Sequence, residues 1–378
     1  MIFAKLWASE VFSGHLVLLA FVWIAGIRVL WLLLNVVANK KAWRDTSEVL
    51  QKLLSVFPKV SIIVAAKNEV RGLQKLLPSL LSQDYPNFEV IIIDDFSEDD
   101  SQMYLSSIRD SRLKIVSCTK DLPGKKQALK EGIGQAIGKY LLFTDADCFP
   151  VSGNWVRSMV KVAENRSSVV LGHGPFERRT GLSGLVSRTD ALDILRQYTT
   201  AAVLGMPYMG VGRNMMYQKS DWEKAGGFKS HEHFMAGDDD LQIQYMAKDQ
   251  QMTVCASKEA LVYSPPKPTI FEFIKQKTRH IRVSTAYTAK SKVMAGIDPL
   301  LRTLFYASFL VAVFLNLSTA LWIWVSFMLL SCLILALLFR KFDETALAIF
   351  YPLTDFILFC LYPIIFVLSR LKKDMTWK

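Results

Sequence analysis

Apolar positions in this chain follow three different patterns. Val11–Val37 is a long apolar stretch interrupted by His15 and Arg28. Thr303–Phe339 runs 37 residues without a charge, and Ala346–Ser369 is broken by Asp355. A bilayer core needs about 20 apolar residues of helix. The middle run is therefore too long for one span, and Asn316-Leu317-Ser318-Thr319 is the natural place to fold it into a hairpin. One N-terminal span and two or three C-terminal spans are expected. The first stretch exceeds a signal-peptide apolar region and lacks a clear small-residue cleavage site, so a retained anchor is favoured.

Between these ends, short β-branched runs alternate with helical periodicity. Val60–Ala66, Phe88–Asp94, Leu113–Ser117 and Tyr140–Thr144 read as strands. Glu69–Ser82, Asp100–Arg109 and Lys125–Ala136 between them read as helices. That alternation predicts an α/β fold with a mostly parallel, doubly wound sheet, in which sites lie beyond the carboxyl ends of the strands. The second half is less regular. Val169–Phe176 looks like a strand, Leu182–Ala202 a long helix, and Asp238–Lys248 a helix with acidic residues in its first turn. Ile270–Ser291 carries six basic residues, His280 included, among apolar ones, and resembles an amphipathic helix lying in a membrane interface.

Charge adds orientation. Lys40, Lys41 and Arg44 directly follow the first apolar stretch, which places the middle of the chain in the cytoplasm. The far end is ambiguous. Three spans would put Arg370, Lys372 and Lys373 outside; two would leave Arg340 and Lys341 there. The formal net charge is +11. Beside membrane spans, such a basic balance suits anionic headgroups better than nucleic acid. Five cysteines form no C-x-x-C pair, which argues against a disulfide framework or a zinc site.

Candidate chemistry sits at strand ends. In extended backbone, residues i and i+2 point the same way, so Asp145-Ala146-Asp147 presents two carboxylates together. Such a pair is costly without a cation, and Mg2+ or Mn2+ prefers oxygen ligands and binds phosphates as well. A lone D-x-D is usually a solvated turn; the buried run before this one favours function. Asp94 and Asp95 close a strand and can accept bonds from ribose hydroxyls or a base N–H, although an acidic turn is the plain alternative. Lys125, after Pro123-Gly124, opens a helix and can meet a phosphate or base, but on its own it reads as an ordinary exposed lysine. Asp238-Asp239-Asp240 fits helix capping as well as catalysis. His231-Glu232-His233 has metal-pair spacing, but in a loop such a pair is more often solvated. Arg28 either snorkels or pairs with another membrane segment.

Taken together, these segments resemble the family 2 glycosyltransferases. The nucleotide-binding half is matched by Ser61–Glu69, Ile93-Asp94-Asp95-Phe96-Ser97, Gly124-Lys125 and Thr144-Asp145-Ala146-Asp147. Gly212–Tyr217 with Gly226-Gly227-Phe228 is similar to the acceptor-side segment, and Gly237–Leu241 to the Gly-Glu-Asp-x-Asp-Leu motif. Gln276–His280 is similar to the Gln-x-x-Arg-Trp of the membrane-bound synthases. The resemblance spans roughly Val60 to Arg282. It implies a GT-A fold, a nucleotide-diphosphate sugar donor, inversion at the anomeric carbon, and a lipid-linked or membrane-proximal acceptor. By it, Asp94, Asp95 and Lys125 hold the nucleotide, Asp145 and Asp147 the metal or ribose, and Asp239, with Asp238 beside it, is the general base. Gln276, Arg279, His280, Arg213 and Asn214 face acceptor or diphosphate.

The expected organisation is an anchor at 1–38, a linker at 39–58, the GT-A domain at 59–268, amphipathic interface helices at 269–300, and spans with a basic tail at 301–378. The expected location is the inner membrane, multi-pass. Two departures bear on function: Asp238 stands where the family has Glu, and His280 where the synthases have the Trp that packs on the acceptor sugar. The second weakens the case for the main rival, a processive polysaccharide synthase. A catalytically silent assembly protein conflicts with intact Asp147 and Asp239. A nucleotidyltransferase would need a glycine-rich phosphate loop where Ala65–Glu69 stands.

Overall fold

The computed structural model describes residues 2–118, 124–234, 236–248 and 250–371. Pro123 and the basic tail after Leu371 lie outside them. In chain order the elements are α1 (Ile2–Leu50), β1 (Val60–Ala66), α2 (Val70–Leu81), β2 (Phe88–Asp94), α3 (Ser101–Ser107), β3 (Leu113–Ser117) and α4 (Lys125–Gln135). There follow β4 (Tyr140–Phe143), β5 (Phe149–Pro150), α5 (Trp155–Asn165), β6 (Val169–Gly172), α6 (Gly181–Val203), β7 (Met215–Gln218), α7 (Lys219–Lys224), α8 (Asp240–Met246), β8 (Met252–Cys255) and β9 (Val262–Tyr263). The chain ends with α9 (Ile270–Val283), α10 (Ala289–Leu315), α11 (Leu317–Phe339), α12 (Thr345–Ile349) and α13 (Tyr351–Leu371).

Two compact units result. One joins Met1–Val37 to Val293–Ile364, and the other holds Ala38–Lys292 with the end of α13. In the second, seven strands form a sheet in the order β3-β2-β1-β4-β7-β6-β8. Every pairing is parallel except those of β7, which runs against both β4 and β6. β1 and β2 are buried along their whole length, as β-branched runs covered on both faces should be. Thr46, in the last turns of α1, guards the exposed edge of β8. Its hydroxyl donates to the Val254 carbonyl at 3.1 Å and accepts from the Ala256 N–H at 3.0 Å. The polar stretch after residue 38 thus continues α1 as far as Leu50.

Three sequence expectations shift. β6 ends at Gly172 rather than Phe176, because Asn214 takes over the pairing there: its carbonyl accepts the Gly172 N–H at 2.8 Å. α8 begins at Asp240, with Asp239 and not Asp238 as its cap. The amphipathic helix stops at Val283 instead of reaching Ser291. The chain turns there because the Tyr287 hydroxyl donates to Asp240 Oδ2 at 2.5 Å and the Thr288 N–H to Gln244.

In the first unit the long apolar run divides at Asn316, whose side chain caps α11 by accepting the Thr319 N–H at 3.0 Å. Phe305 and Phe327 pack across the hairpin at 4.2 Å between ring centroids. Arg28 pairs rather than snorkels. Its guanidinium lies 2.6 Å from Asp355 Oδ1 and over the rings of Phe305 and Phe327. Arg302 donates to the same Asp355 oxygen at 2.7 Å, and the Tyr306 hydroxyl to Oδ2 at 3.0 Å. Among the described residues, four helices are long and apolar enough to cross a membrane: His15–Leu50, Ala289–Leu315, Leu317–Phe342 and Tyr351–Leu371.

Candidate active site

β1, β2 and β4 end on the same side of the sheet, and the loops that leave them build one half of the candidate site. The loops after β1 and β2 are clasped to each other. The Asn68 N–H donates to Ser97 Oγ at 2.9 Å, and Asn68 Oδ1 accepts from the Glu98 N–H at 2.7 Å. Asn68 and Phe96 both adopt positive φ (53° and 55°). Asn tolerates that geometry well, whereas Phe does so only when the surroundings impose it. Asp94 and Asp95 sit between these loops, 5% and 0% exposed. Asp94 Oδ1 finds no hydrogen-bond partner among the described residues. Burial pushes the Asp95 carboxyl up, against the pull of Lys67.

The Asp145–Asp147 turn follows β4 and is held from behind by α2. Gly72 lies so close that a Cβ there would stand 2.4 Å from the Ala146 carbonyl oxygen and 3.1 Å from Asp147 Cα. Either the helix or the turn would have to move. Gly72→Ala is therefore expected to weaken donor binding about tenfold or more, alongside an overpacking cost of about 1–3 kcal/mol. Calorimetric donor titration together with thermal melting measures both, and unchanged donor affinity would refute this positioning role. Asp147 is raised by burial and then by the neighbouring Asp145, with Lys267 and Arg213 opposing.

Lys125 joins this half to the next one. Its ammonium lies 2.9 Å from Asp145 Oδ1 and 2.8 Å from Asp238 Oδ2. Burial alone would lower its pKa, but Asp145, Asp238 and Asp239 outweigh that and hold it well above the usual lysine value. Lys126, the next residue on α4, is pushed down to about 8 by burial. It donates to the carbonyls of His231 and Phe234 at 2.8 and 2.9 Å, pinning the loop before α8.

The two aspartates before α8 differ. Burial disfavours charge on Asp238, yet Lys125 holds its carboxyl below the ordinary range. Asp239 is raised by burial and by Asp238. Its two oxygens accept the N–H groups of Gly212 (3.1 Å) and Asp240 (2.8 Å). Gly212 packs closely there: a Cβ would stand 3.3 Å from Asp239 Oδ2 and 3.4 Å from Lys125 Nζ. Gln276, Arg279 and His280 lie on α9, whose start is capped by Thr269. The His280 imidazole is held neutral by desolvation and then by the charges of Lys277, Arg279, Arg213 and Lys125. A buried ion pair between Lys277 and Asp190 of α6 anchors the helix.

Two sequence-derived candidates are placed differently. The Asn214 side chain is fully buried, and its amide is consumed internally. It donates to the carbonyls of His173 and Ala260, both at 2.8 Å, and accepts from Trp155 Nε1 at 3.0 Å. It braces the sheet and has no group left for an acceptor. Arg213 is half-buried, donates to the Gly174 carbonyl, and lies over the Phe176 ring at 5.0 Å. His231 packs among Phe228 and Tyr245. Among the described residues the one cluster with metal-ligating spacing is Asp145, Asp147 and Cys148. Lys126, Tyr287 and Gly72 carried no sequence signal, whereas the adjacency of Cys148 to the Asp-Ala-Asp segment was visible.

Comparison with known proteins agrees with this geometry. A model described as glycosyl transferase family 2 matches residues 61–220, and one described as glycosyl transferase family group 2 matches residues 146–366. A glycosyltransferase of Haemophilus influenzae is 33% identical over 114 residues, covering 30% of this chain and 35% of that protein. The GalNAc(5)-diNAcBac-PP-undecaprenol beta-1,3-glucosyltransferase of Campylobacter jejuni is 30% identical over 128 residues, covering 33% and 41%. The chain thus spans well under half the length of these relatives. The structure of a mannosyltransferase from Pyrobaculum calidifontis, in complex with GDP-Man and Mn2+, is similar with a TM-score of 0.51 at 17% identity, over 90% of this chain and 99% of that one. That likeness establishes the GT-A fold. Since one family model alone matches more than half of the residues, the chain belongs to the family 2 glycosyltransferases.

Proposed function

We propose that this protein is an inverting glycosyltransferase that moves one sugar from a nucleotide-diphosphate sugar to a hydroxyl of a lipid-linked or membrane-proximal acceptor, with its catalytic domain on the cytoplasmic side of the inner membrane. The observation that carries this reading is Lys125, whose ammonium bridges Asp145 after β4 and Asp238, the neighbour of the raised carboxylate Asp239, before α8. Donor and acceptor chemistry therefore converge on one lysine.

Asp145 and Asp147 fit a divalent cation, because their neighbouring oxygens are costly to hold together without one. A bound Mg2+ or Mn2+ would supply charge neutralisation for a leaving diphosphate. Asp94 and Asp95 line the place for the nucleoside, with Asp94 Oδ1 free to accept a hydroxyl or base N–H. Asp239 takes the acceptor hydroxyl proton as the new glycosidic bond forms and the bond to diphosphate breaks. Attack opposite the leaving group inverts the anomeric carbon. The Gly212 and Asp240 N–H groups fix the Asp239 carboxylate for that step. Gln276 and Arg279 receive acceptor or diphosphate, and Arg279 adds positive charge where the diphosphate departs. The neutral imidazole of His280 adds none.

The membrane setting is supported by four helices of sufficient length and apolarity and by the lipid-linked substrate in the name of the Campylobacter relative. The test is incubation of purified protein with a panel of nucleotide sugars and short-chain polyprenyl-diphosphate-linked sugars, read by mass spectrometry. A product extended by one residue is expected. A ladder of long products would overturn single transfer and promote the polysaccharide synthase instead.

A further inference from the structure

The turn after β4 offers more than its two carboxylates. Cys148 is 1% exposed, and its thiol donates to Asp147 Oδ1 across 3.4 Å. Its N–H returns to the Asp145 carbonyl at 3.1 Å, so a single tight turn carries all three side chains. One ligand atom from each of Asp145, Asp147 and Cys148 lies within 4.8 Å of the other two. Bonds of about 2.3 Å to sulfur and 2.0–2.2 Å to oxygen set such ligand atoms about 3–3.6 Å apart around one ion. The Cys148–Asp147 pair already has that separation, and Asp145 faces the same point while pairing with Lys125 at 2.9 Å.

We propose that Cys148 is a third ligand of this centre, and that it makes thiophilic divalent ions such as Zn2+ or Cd2+ tight, inhibitory competitors of Mg2+ or Mn2+. The inference rests on the metal role of Asp145 and Asp147 given above. Hard ions prefer the carboxylate oxygens and leave the thiol protonated; softer ions gain a thiolate bond. In the binding step the sulfur–hydrogen bond breaks, a sulfur–metal bond forms, and the proton leaves to solvent, with no change of oxidation state. A four-coordinate ion that uses three protein ligands keeps one open position, too few for a diphosphate chelating through two oxygens. The centre therefore discriminates among ions by whether they engage sulfur.

The test uses the full-length protein in detergent, with Cys148→Ser and Cys148→Ala beside it. Mn2+ binding is followed by electron paramagnetic resonance. Cd2+ binding is followed by its sulfur-to-metal charge-transfer absorption and by proton release to an indicator dye. Cd2+ is expected to displace Mn2+ from the unmodified protein, with the absorption band and release of a proton. Both variants should keep Mn2+, lose the band and the proton, and bind Cd2+ at least about tenfold more weakly. Retained Mn2+ shows that the variants are folded. A Cd2+ band of equal size in all three proteins would place the sulfur elsewhere and overturn the proposal. Mn2+ binding to the unmodified protein with no Cys148-dependent band also overturns it, while leaving the catalytic metal reading intact. If Mn2+ fails to bind the unmodified protein at all, the metal reading itself falls, and this inference with it.

Discussion

Asp239→Asn is expected to lower turnover by about 10²-fold or more, the contribution of a placed general base, while donor binding stays near normal. The substitution keeps the size and the place of the side chain, and one oxygen can still accept an N–H from Gly212 or Asp240. What it removes is proton affinity. Burial and the neighbouring Asp238 raise that affinity above the usual carboxylate value. Below its raised pKa, Asp239 already holds a proton and cannot take another, so kcat/KM should fall on the acid side at a pH above the ordinary aspartate range. That limb should vanish in the variant. Asp238→Asn is the informative comparison, because Asp238 is held ionised by Lys125. If Asp238→Asn proves inactive while Asp239→Asn remains active, the roles are reversed and the assignment fails.

Asp147→Ala should abolish donor binding as well as turnover. In the unmodified protein, EDTA should abolish turnover and Mn2+ or Mg2+ should restore it; in the variant neither ion should. The physical ground is the cost of the Asp145–Asp147 pair. Asp147 is raised by burial and by Asp145, so without a cation the charge on Asp145 disfavours ionisation of Asp147. Isothermal titration with the nucleoside diphosphate, with and without metal, separates a binding defect from a chemical one. Full activity in chelator would remove the metal from the mechanism.

The parallel half of the sheet was legible because β1, β2 and β4 are apolar runs buried on both faces, with carboxylates placed directly after them. The antiparallel strand β7 was not, since Met215–Gln218 is short and pairs on both sides with strands far away in sequence. Side-chain direction was also hidden. Asn214 and Arg213 are neighbours in one motif-like segment, yet the first points into the sheet and is fully bonded there. Lys125 read as a surface lysine because its partners, Asp145 and Asp238, lie 20 and 113 residues further on. The end of α9 at Val283 has no Gly or Pro to announce it; the long-range Tyr287–Asp240 bond makes the turn. What periodicity reports is burial, and what it omits is partnership.

The Arg28–Asp355 pair has a consequence for the order in which the molecule is made. The two residues are 327 positions apart, so a ribosome delivers the cation long before the anion exists. During that interval the first helix carries a guanidinium without the carboxylate that it pairs with in the folded unit, and a buried charge without its partner is strongly destabilising. Arg302 emerges next and adds a second positive charge, with Asp298 on the preceding turn 3.5 Å from it. Asp355, synthesised last, closes the circuit for both arginines. The first helix of the nascent chain therefore reaches its final electrostatic state only when the last one arrives, and a chain released before residue 355 would be left with a debt of charge in its apolar unit.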